Sequence, residues 1–119
     1  MEIWKEFTFE AAHLLPNLPE GHKCRRLHGH SYRVRIYVEG DLDPTLGWVV
    51  DLADIRRACE PIRLQLDHYY LNDIEGLENP TAEVIARWIW VRLKPSLPGL
   101  SKIKLNETCT SGCVYQGDR

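Results

Sequence analysis

The chain has 119 residues, a length that suits one domain with a hydrophobic core large enough to fold without disulfide bonds. Its 15 basic and 17 acidic residues give a net charge of −2, which argues against a general binder of nucleic acids or membrane surfaces. No apolar span of membrane length or signal-peptide pattern appears, so the 4 cysteines favour free thiols over disulfides. We therefore expect a cytoplasmic protein without a membrane segment, folded as one domain over residues 1–119.

The first predicted strand covers residues 3–13. Alternate residues of this strand are apolar, and His13 ends the same row because side chains two apart in a strand share a face. A single histidine on an apolar face is usually a packed core residue, so His13 alone indicates little. Residues 14–23 contain two prolines, an asparagine and a glycine, which predict a loop.

The second predicted strand covers residues 28–39 and begins with two histidines two positions apart. His28 and His30 share a face with four further residues, Tyr32, Val34, Ile36 and Val38. Together with His13, these histidines predict a metal site, and three neutral imidazoles suit zinc with a fourth position left open, as in catalytic centres. His22, in the preceding loop, is the alternative ligand; we interpret it as a solvated loop residue.

A turn over residues 40–44 leads into a short predicted strand over residues 47–51. A helix is predicted over residues 52–66, where every third or fourth residue is apolar. Pro61 lies inside this helix and is expected to kink or break it, because proline lacks the N–H that the helix needs.

The second predicted helix has a clear start. Asn79 is expected to cap it, with Pro80 in the first helical position and Glu83 in the positive first turn. Lys94, followed by proline, is expected to end it.

The last predicted strand covers residues 102–109, with Ile103, Leu105 and Glu107 on one face. Burying a carboxylate at the end of such a face is costly without a partner, which either a ligand or a lysine would provide. The element order predicts an α+β fold, an antiparallel β-sheet with two helices packed on one face. Cys109 and the later Cys113 flank a predicted turn, but no second cysteine pair is present to complete a metal clip.

Five motifs follow one another along nearly the whole chain: Phe7-Thr-Phe-Glu-Ala-Ala-His13, Cys24-x-x-x-His28-Gly-His30, Leu66-Asp-His-x-Tyr-Leu-Asn72, Asn79-Pro-Thr-Ala-Glu83 and Asn106-Glu-Thr-Cys109. Through these motifs the chain closely resembles the 6-pyruvoyl-tetrahydropterin synthase superfamily. Within it, the chain resembles the bacterial 6-carboxy-5,6,7,8-tetrahydropterin synthases of the queuosine pathway. Tyr69 stands where some relatives have another histidine.

The resemblance implies a T-fold, in which subunits associate side by side into a β-barrel with the helices outside. It implies a homohexamer of two trimers with active sites between subunits. The implied substrate is 7,8-dihydroneopterin triphosphate, and the implied products are 6-carboxy-5,6,7,8-tetrahydropterin, acetaldehyde and triphosphate.

The resemblance also implies a zinc centre whose ligands are His13, His28 and His30. It implies that Cys24 is the thiol that transfers protons, a role favoured by the nearby cation and the neighbouring basic residues Lys23, Arg25 and Arg26. The alternative for Cys24 is a fourth zinc ligand, which would close the site and make it structural. The basic residues are either a solvated face or a binding site for the triphosphate.

Asp67 and His68 are implied as relay partners of the thiol, since a carboxylate can fix the tautomer of an imidazole and stabilise its cation. The alternative is an ordinary surface pair. Glu107 is implied as the pterin anchor, with Thr108 beside it, because a carboxylate can accept two parallel hydrogen bonds from a pterin ring.

Two other functions remain open for this sequence. The first is the pyruvoyl-forming synthase of the same superfamily, which eliminates triphosphate but keeps the side chain. The second is a non-catalytic module that binds zinc or pterin. The Cys-x-x-x-His-Gly-His spacing favours the carboxypterin branch, and a pure binder would have no chemical need for Cys24, Asp67 and His68.

Overall fold

A computed structural model describes residues 1–118 of the chain. Four antiparallel strands form one sheet in the order β1-β2-β3-β4, with the bounds Glu2–His13, His28–Glu39, Leu100–Thr108 and Ser111–Tyr115. Two helices accompany the sheet, α1 (Leu52–Leu66) and α2 (Ala82–Leu93), and short 3-10 turns cover Lys23–Arg25 and Leu71–Asp73. The predicted α+β fold is confirmed.

The alternating side chains divide the sheet into a buried face and a polar face. Phe9, Tyr32 and Leu105 are among the residues that point from three strands towards the helices and are almost completely buried. Helix α1 packs on β1, and α2 packs on β3 and β4, so both helices cover the same face. Within residues 1–118, no helix is both long and apolar enough to cross a bilayer.

Helix α1 has its predicted bounds, Leu52–Leu66, but the short strand predicted before it is absent. Residues 47–51 form no strand, and Asp51 instead caps the helix by accepting a hydrogen bond from the Ala53 N–H. The break expected at Pro61 does not occur, because α1 continues to Leu66. Pro61 lies on the exposed face, while Ile62 beside it is anchored in the core. Packing of the buried face therefore outweighs one lost backbone hydrogen bond.

Helix α2 begins two residues later than expected. Its N-cap is Thr81, whose hydroxyl accepts from the Val84 N–H, so the prediction that Asn79 caps the helix was wrong. Thr81 has the extended backbone and short hydroxyl side chain that favour this position. Lys94 ends the helix as predicted.

The end of the chain adds a strand that was not predicted. Cys109 lies in the turn of the β3–β4 hairpin, while Cys113 lies within β4 opposite Leu105. All 4 cysteines are free thiols, as expected. Burial raises the pKa of Cys59 to about 12, which makes this thiol a core residue without nucleophilic character.

The outer edge of β1 is lined by the segment that follows α1. The N–H of His68 donates to the Glu10 carbonyl over 2.6 Å, and the Ala12 N–H donates to the Tyr69 carbonyl over 3.3 Å. We call residues 67–72 the edge segment. The protomer is elongated, at 58 × 27 × 25 Å, with a radius of gyration of 15.4 Å.

Candidate metal centre and active site

The strand register brings the three histidines together. His13 lies directly opposite His28 in the antiparallel pair, and His30 lies opposite Ala11, one step along the same face. The centroids of the three imidazole rings are 4.5, 4.9 and 5.0 Å apart. His13 is fully buried, while His28 and His30 are partly exposed. The two strands therefore converge on one point at the rim of the core.

Backbone carbonyls orient two of these rings. Nδ1 of His13 donates to the Pro80 carbonyl over 2.8 Å, and Nδ1 of His28 donates to the Arg26 carbonyl over 2.7 Å. A proton on Nδ1 leaves Nε2 as a lone pair in the neutral ring, which is the form that binds a metal. Both histidines are thus fixed in a tautomer suited to coordination.

Glu107 joins this group from β3. Its Oε1 lies 3.3 Å from Nε2 of His13 and 2.9 Å from Nε2 of His30. The interaction with His13 first, and then those with the other two histidines, hold the pKa of Glu107 below its usual value, against the opposing effect of burial. Burial lowers the pKa of His30, which favours its neutral form.

The four side chains fit a zinc ion. One ligand atom from each of His13, His28, His30 and Glu107 lies within 4.8 Å of all the others. Nε2 of His30 is buried and finds no hydrogen-bond partner of acceptable geometry within residues 1–118, despite the closeness of Glu107. A neutral ring with its Nε2 lone pair towards this carboxylate would be repelled unless a cation lay between them, and the two spacings are near the roughly 3.3 Å that separates tetrahedral ligands of zinc.

Cys24 lies in the short turn before β2 and is partly exposed. Its N–H donates to Nδ1 of His22, and its carbonyl accepts from the Leu15 N–H. Cys24 is not part of the four-residue group, as far as the structure describes the chain. The protomer therefore gives no support to Cys24 as a fourth ligand. His22 is an exposed residue that caps this turn and also lies outside the group.

Asp67 and His68 form a contacting pair at the edge of β1. Oδ2 of Asp67 lies 3.0 Å from Nδ1 of His68 and 3.4 Å from the Arg63 guanidinium, while Oδ1 accepts from the Glu10 N–H over 2.9 Å. The Glu10 N–H, then His68 and Arg63, hold the pKa of Asp67 below its usual value. His68 has a left-handed backbone, with φ of 64°, and its side chain is 77% exposed. The imidazole is therefore anchored on one side and open on the other.

Two open clefts border the histidine group. The first, of about 500 Å³, includes His30 and His68 in its walls. The second, of about 380 Å³, includes Glu107 and Thr108, and Thr108 also lies 2.7 Å from the hydroxyl of Ser111. Within the described residues, the Cys24 thiol therefore lines neither the cleft that includes His68 nor the cleft that includes Glu107.

A family model for 6-pyruvoyl tetrahydropterin synthase matches residues 2–118. The chain belongs to this family. It is 50% identical to the 6-carboxy-5,6,7,8-tetrahydropterin synthase of Synechocystis sp. over 98% of this chain and 94% of that protein. It is 35% identical to the 6-pyruvoyl tetrahydrobiopterin synthase of Pongo abelii, over 98% of this chain and 92% of that one.

A solved structure supports the same assignment. The 6-pyruvoyl tetrahydropterin synthase of Caenorhabditis elegans superposes with a TM-score of 0.91 at 28% identity, covering 99% of this chain and 96% of that chain. The four-stranded sheet with two helices is thus the T-fold of the 6-pyruvoyl tetrahydropterin synthase family.

Sequence reasoning missed three groups around the histidines of this family member. Tyr32 is fully buried, with its hydroxyl 3.1 Å from Nδ1 of His13, and burial raises its pKa. The Pro80 carbonyl and the Asn72 side chain also reach the end of β1. A backbone carbonyl leaves no sequence signal, but Tyr32 shares the predicted face of His28 and His30 and could have been found from that pattern.

Proposed function

We propose that this protein is a zinc-dependent carbon–carbon lyase that converts 7,8-dihydroneopterin triphosphate to 6-carboxy-5,6,7,8-tetrahydropterin, acetaldehyde and triphosphate. The observation that carries this proposal is the group formed by His13, His28, His30 and Glu107, in a chain 50% identical to a 6-carboxy-5,6,7,8-tetrahydropterin synthase. The reaction would belong to queuosine biosynthesis in the cytoplasm.

His13, His28 and His30 would hold the zinc ion in their neutral form. A bound zinc supplies Lewis acidity, which lowers the pKa of a coordinated hydroxyl and polarises the neighbouring C–H bonds. The Pro80 and Arg26 carbonyls would keep two of the rings in the required tautomer.

Glu107 would anchor the pterin, with Thr108 beside it in the same cleft. A carboxylate can accept hydrogen bonds from a ring N–H and an exocyclic amine side by side. A pterin that approaches Glu107 has to compete with His13 and His30 for the same carboxylate. We therefore expect the Glu107 side chain to move when the substrate binds.

Cys24, Asp67 and His68 would move the protons. The carboxylate of Asp67 orients the His68 imidazole and stabilises its cation, while the exposed side of the ring can accept a proton. The thiol of Cys24 would need this partner within reach during turnover. Because Cys24 does not line the cleft that includes His68, the proposal places Cys24 of one subunit beside Asp67 and His68 of another. This arrangement agrees with a homohexamer in which the active sites lie between subunits.

The basic residues Lys23, Arg25 and Arg26 would hold the triphosphate. All three are exposed in the turn around Cys24, where their charge is available to an anion. The Arg25 guanidinium also donates to the Leu18 carbonyl, which stabilises the turn.

The deciding experiment is incubation of the zinc-loaded protein with dihydroneopterin triphosphate, followed by mass spectrometry of the products. We expect 6-carboxy-5,6,7,8-tetrahydropterin together with acetaldehyde. A product that keeps the three-carbon side chain, without acetaldehyde, would assign the chain to the pyruvoyl-forming synthases instead. Pterin binding without any turnover would identify the protein as a non-catalytic binding module.

A further inference from the structure

Asn72 makes a paired contact with the chain just beyond His13. Its Oδ1 accepts from the Leu14 N–H over 3.0 Å, and its Nδ2 donates to the Leu14 carbonyl over 2.9 Å. One side chain thus satisfies both backbone groups of Leu14, as a neighbouring strand would do.

This contact falls where β1 would otherwise be free to fray. His13 is the last residue of β1, and a loop without regular structure follows it. The end of a strand loses order readily when its backbone groups lack partners. A bidentate contact at Leu14 fixes the backbone on the carboxyl side of His13, while the pairing with His28 fixes the strand itself.

Asn72 also stabilises the segment that orients the His13 ring. Its Nδ2 lies 3.3 Å from the Glu78 carbonyl, to which it donates a second hydrogen bond. Two residues later, the Pro80 carbonyl accepts from Nδ1 of His13. The single side chain of Asn72 therefore ties the backbone after His13 to the backbone that carries its ring acceptor.

We propose that Asn72 is a positioning residue for the metal centre, which holds the His13 backbone and the Pro80 carbonyl in register. The inference rests on the proposed zinc site. Residues that orient a ligand without touching the metal contribute about 10–100-fold to metal affinity, and we expect a loss of this size when the Asn72 amide is removed.

The test is an equilibrium competition for Zn²⁺ between the zinc-loaded, full-length protein and a chelator of known affinity. Asn72→Ala is compared with wild type and with Asn17→Ala, the same change at an exposed loop position. The absorption spectrum of the Co²⁺-substituted protein gives a second measurement, because it reports the ligand geometry directly. The measurements involve no pterin, so their result is independent of whether the proposed reaction occurs.

We expect Asn72→Ala to lower zinc affinity by about 10–100-fold and to change the Co²⁺ spectrum, while Asn17→Ala behaves as wild type. If Asn72→Ala does not fold, Asn72→Asp replaces it, since aspartate keeps the bond from the Leu14 N–H and loses both donated bonds. We expect a measurable loss for Asn72→Asp as well, because its carboxylate cannot donate to the Leu14 and Glu78 carbonyls. A folded Asn72→Ala or Asn72→Asp protein with the zinc affinity and spectrum of wild type, even if its unfolding temperature falls, would overturn the proposal.

Discussion

At the scale of single residues, Glu107 lies between two histidines and an open cleft. It lies 2.9 Å from Nε2 of His30 and 3.3 Å from Nε2 of His13, and it borders a cleft open to solvent. A carboxylate in this position can bind a cation on one side or a pterin on the other. Under the proposed function, its partners in the substrate-free protein would therefore differ from its partners in the pterin complex.

Replacing this carboxylate tests the pterin contact. Glu107→Gln presents an N–H where the pterin requires an acceptor, so we expect substrate binding to weaken by about 2–5 kcal/mol. Zinc should stay bound through the three histidines. Calorimetric titration measures the affinity, with Glu39→Gln at an exposed end of β2 as the control. Unchanged pterin affinity in Glu107→Gln would remove Glu107 from the binding site.

The metal assignment predicts a simple stoichiometry. Wild-type protein should contain about one zinc per subunit, and the double variant His28→Ala/His30→Ala should lose it, because too few ligands remain. His22→Ala should keep its zinc, since this exposed residue lies outside the group. Elemental analysis decides the question, and full zinc content in the double variant would contradict the assignment.

A single substitution can distinguish the two possible roles of Cys24, proton transfer and zinc ligation. Cys24→Ala should fold, retain zinc and lose about 10²–10⁴-fold in turnover, the usual contribution of a positioned acid or base. A fourth ligand would instead show lower zinc content and lower stability. Cys113→Ala, at a partly exposed thiol of β4 that lines neither cleft beside the histidines, is the matched control. Near-normal product formation by Cys24→Ala would exclude both roles.

At the scale of elements, the edge segment supplies hydrogen-bond partners to the end of β1 and also carries Asp67 and His68. Asp67 and His68 give the strand's backbone hydrogen-bond partners at Glu10, and Asn72 does so at Leu14. The same contacts hold His68, paired with Asp67, at the cleft wall. Stability of the strand edge and placement of this imidazole therefore depend on one short segment.

Asp67 makes part of this stability dependent on pH. Its pKa is lower in the folded chain than in the unfolded one, so its ionised form stabilises the fold above the unfolded pKa of about 3.9. That contribution is lost as the pH falls through the folded pKa. We expect Asp67→Asn to lower the unfolding temperature at pH 7 and to approach wild type at pH 3. Scanning calorimetry measures this, with Asp73→Asn as the exposed control; a gap that does not narrow in acid would contradict the prediction.

The sequence predicted the long elements well and the local ones poorly. β1, β2 and α1 follow from their apolar periodicity, because burial of one face decides their conformation. The cap at Thr81 rather than Asn79 depends on the local backbone, which periodicity does not describe. Strand β4 was missed because its short sequence contains Gly112, and glycine is unfavourable in strands. The structure shows why glycine is needed there, since a side chain would collide with the Leu105 carbonyl.

The candidate site likewise contains residues that a local pattern predicts and contacts that no local pattern predicts. The three histidines were predicted because strand parity places them on one face, and their grouping in the structure agrees. The contact between Glu107 and these histidines, and the support from Asn72 and Pro80, bring together residues far apart in the chain. No local pattern describes such contacts.

At the scale of the whole molecule, the proposed function requires a second subunit to complete the catalytic site. Cys24 lies in the turn before β2, and His68 lies at the outer edge of β1, with no shared cleft among the described residues. A neighbouring copy that brings its edge segment to this turn would complete the site.

Shared sites predict recovery of activity between two inactive variants. Cys24→Ala and His68→Ala should each be nearly inactive, but mixed oligomers should form some sites with an intact thiol and an intact imidazole. We expect product formation by the co-expressed variants to exceed that of either alone. The control is a mixture of two variants, one with both substitutions and one with Cys24→Ala alone. No site in this mixture has an intact thiol. No recovery in verified mixed oligomers would place both residues in one subunit's site.

The elongated shape of the protomer has a consequence for its survival in the cell. Its radius of gyration of 15.4 Å exceeds the value of about 13.5 Å expected for a compact chain of this length. In the proposed homohexamer, such a protomer would gain part of its burial from other copies, so folding and association would be linked by mass action. Dilution would then favour the unfolded chain and its degradation. When synthesis slows, the amount of active protein would consequently fall more than in proportion. Below a threshold of expression, little active protein would remain.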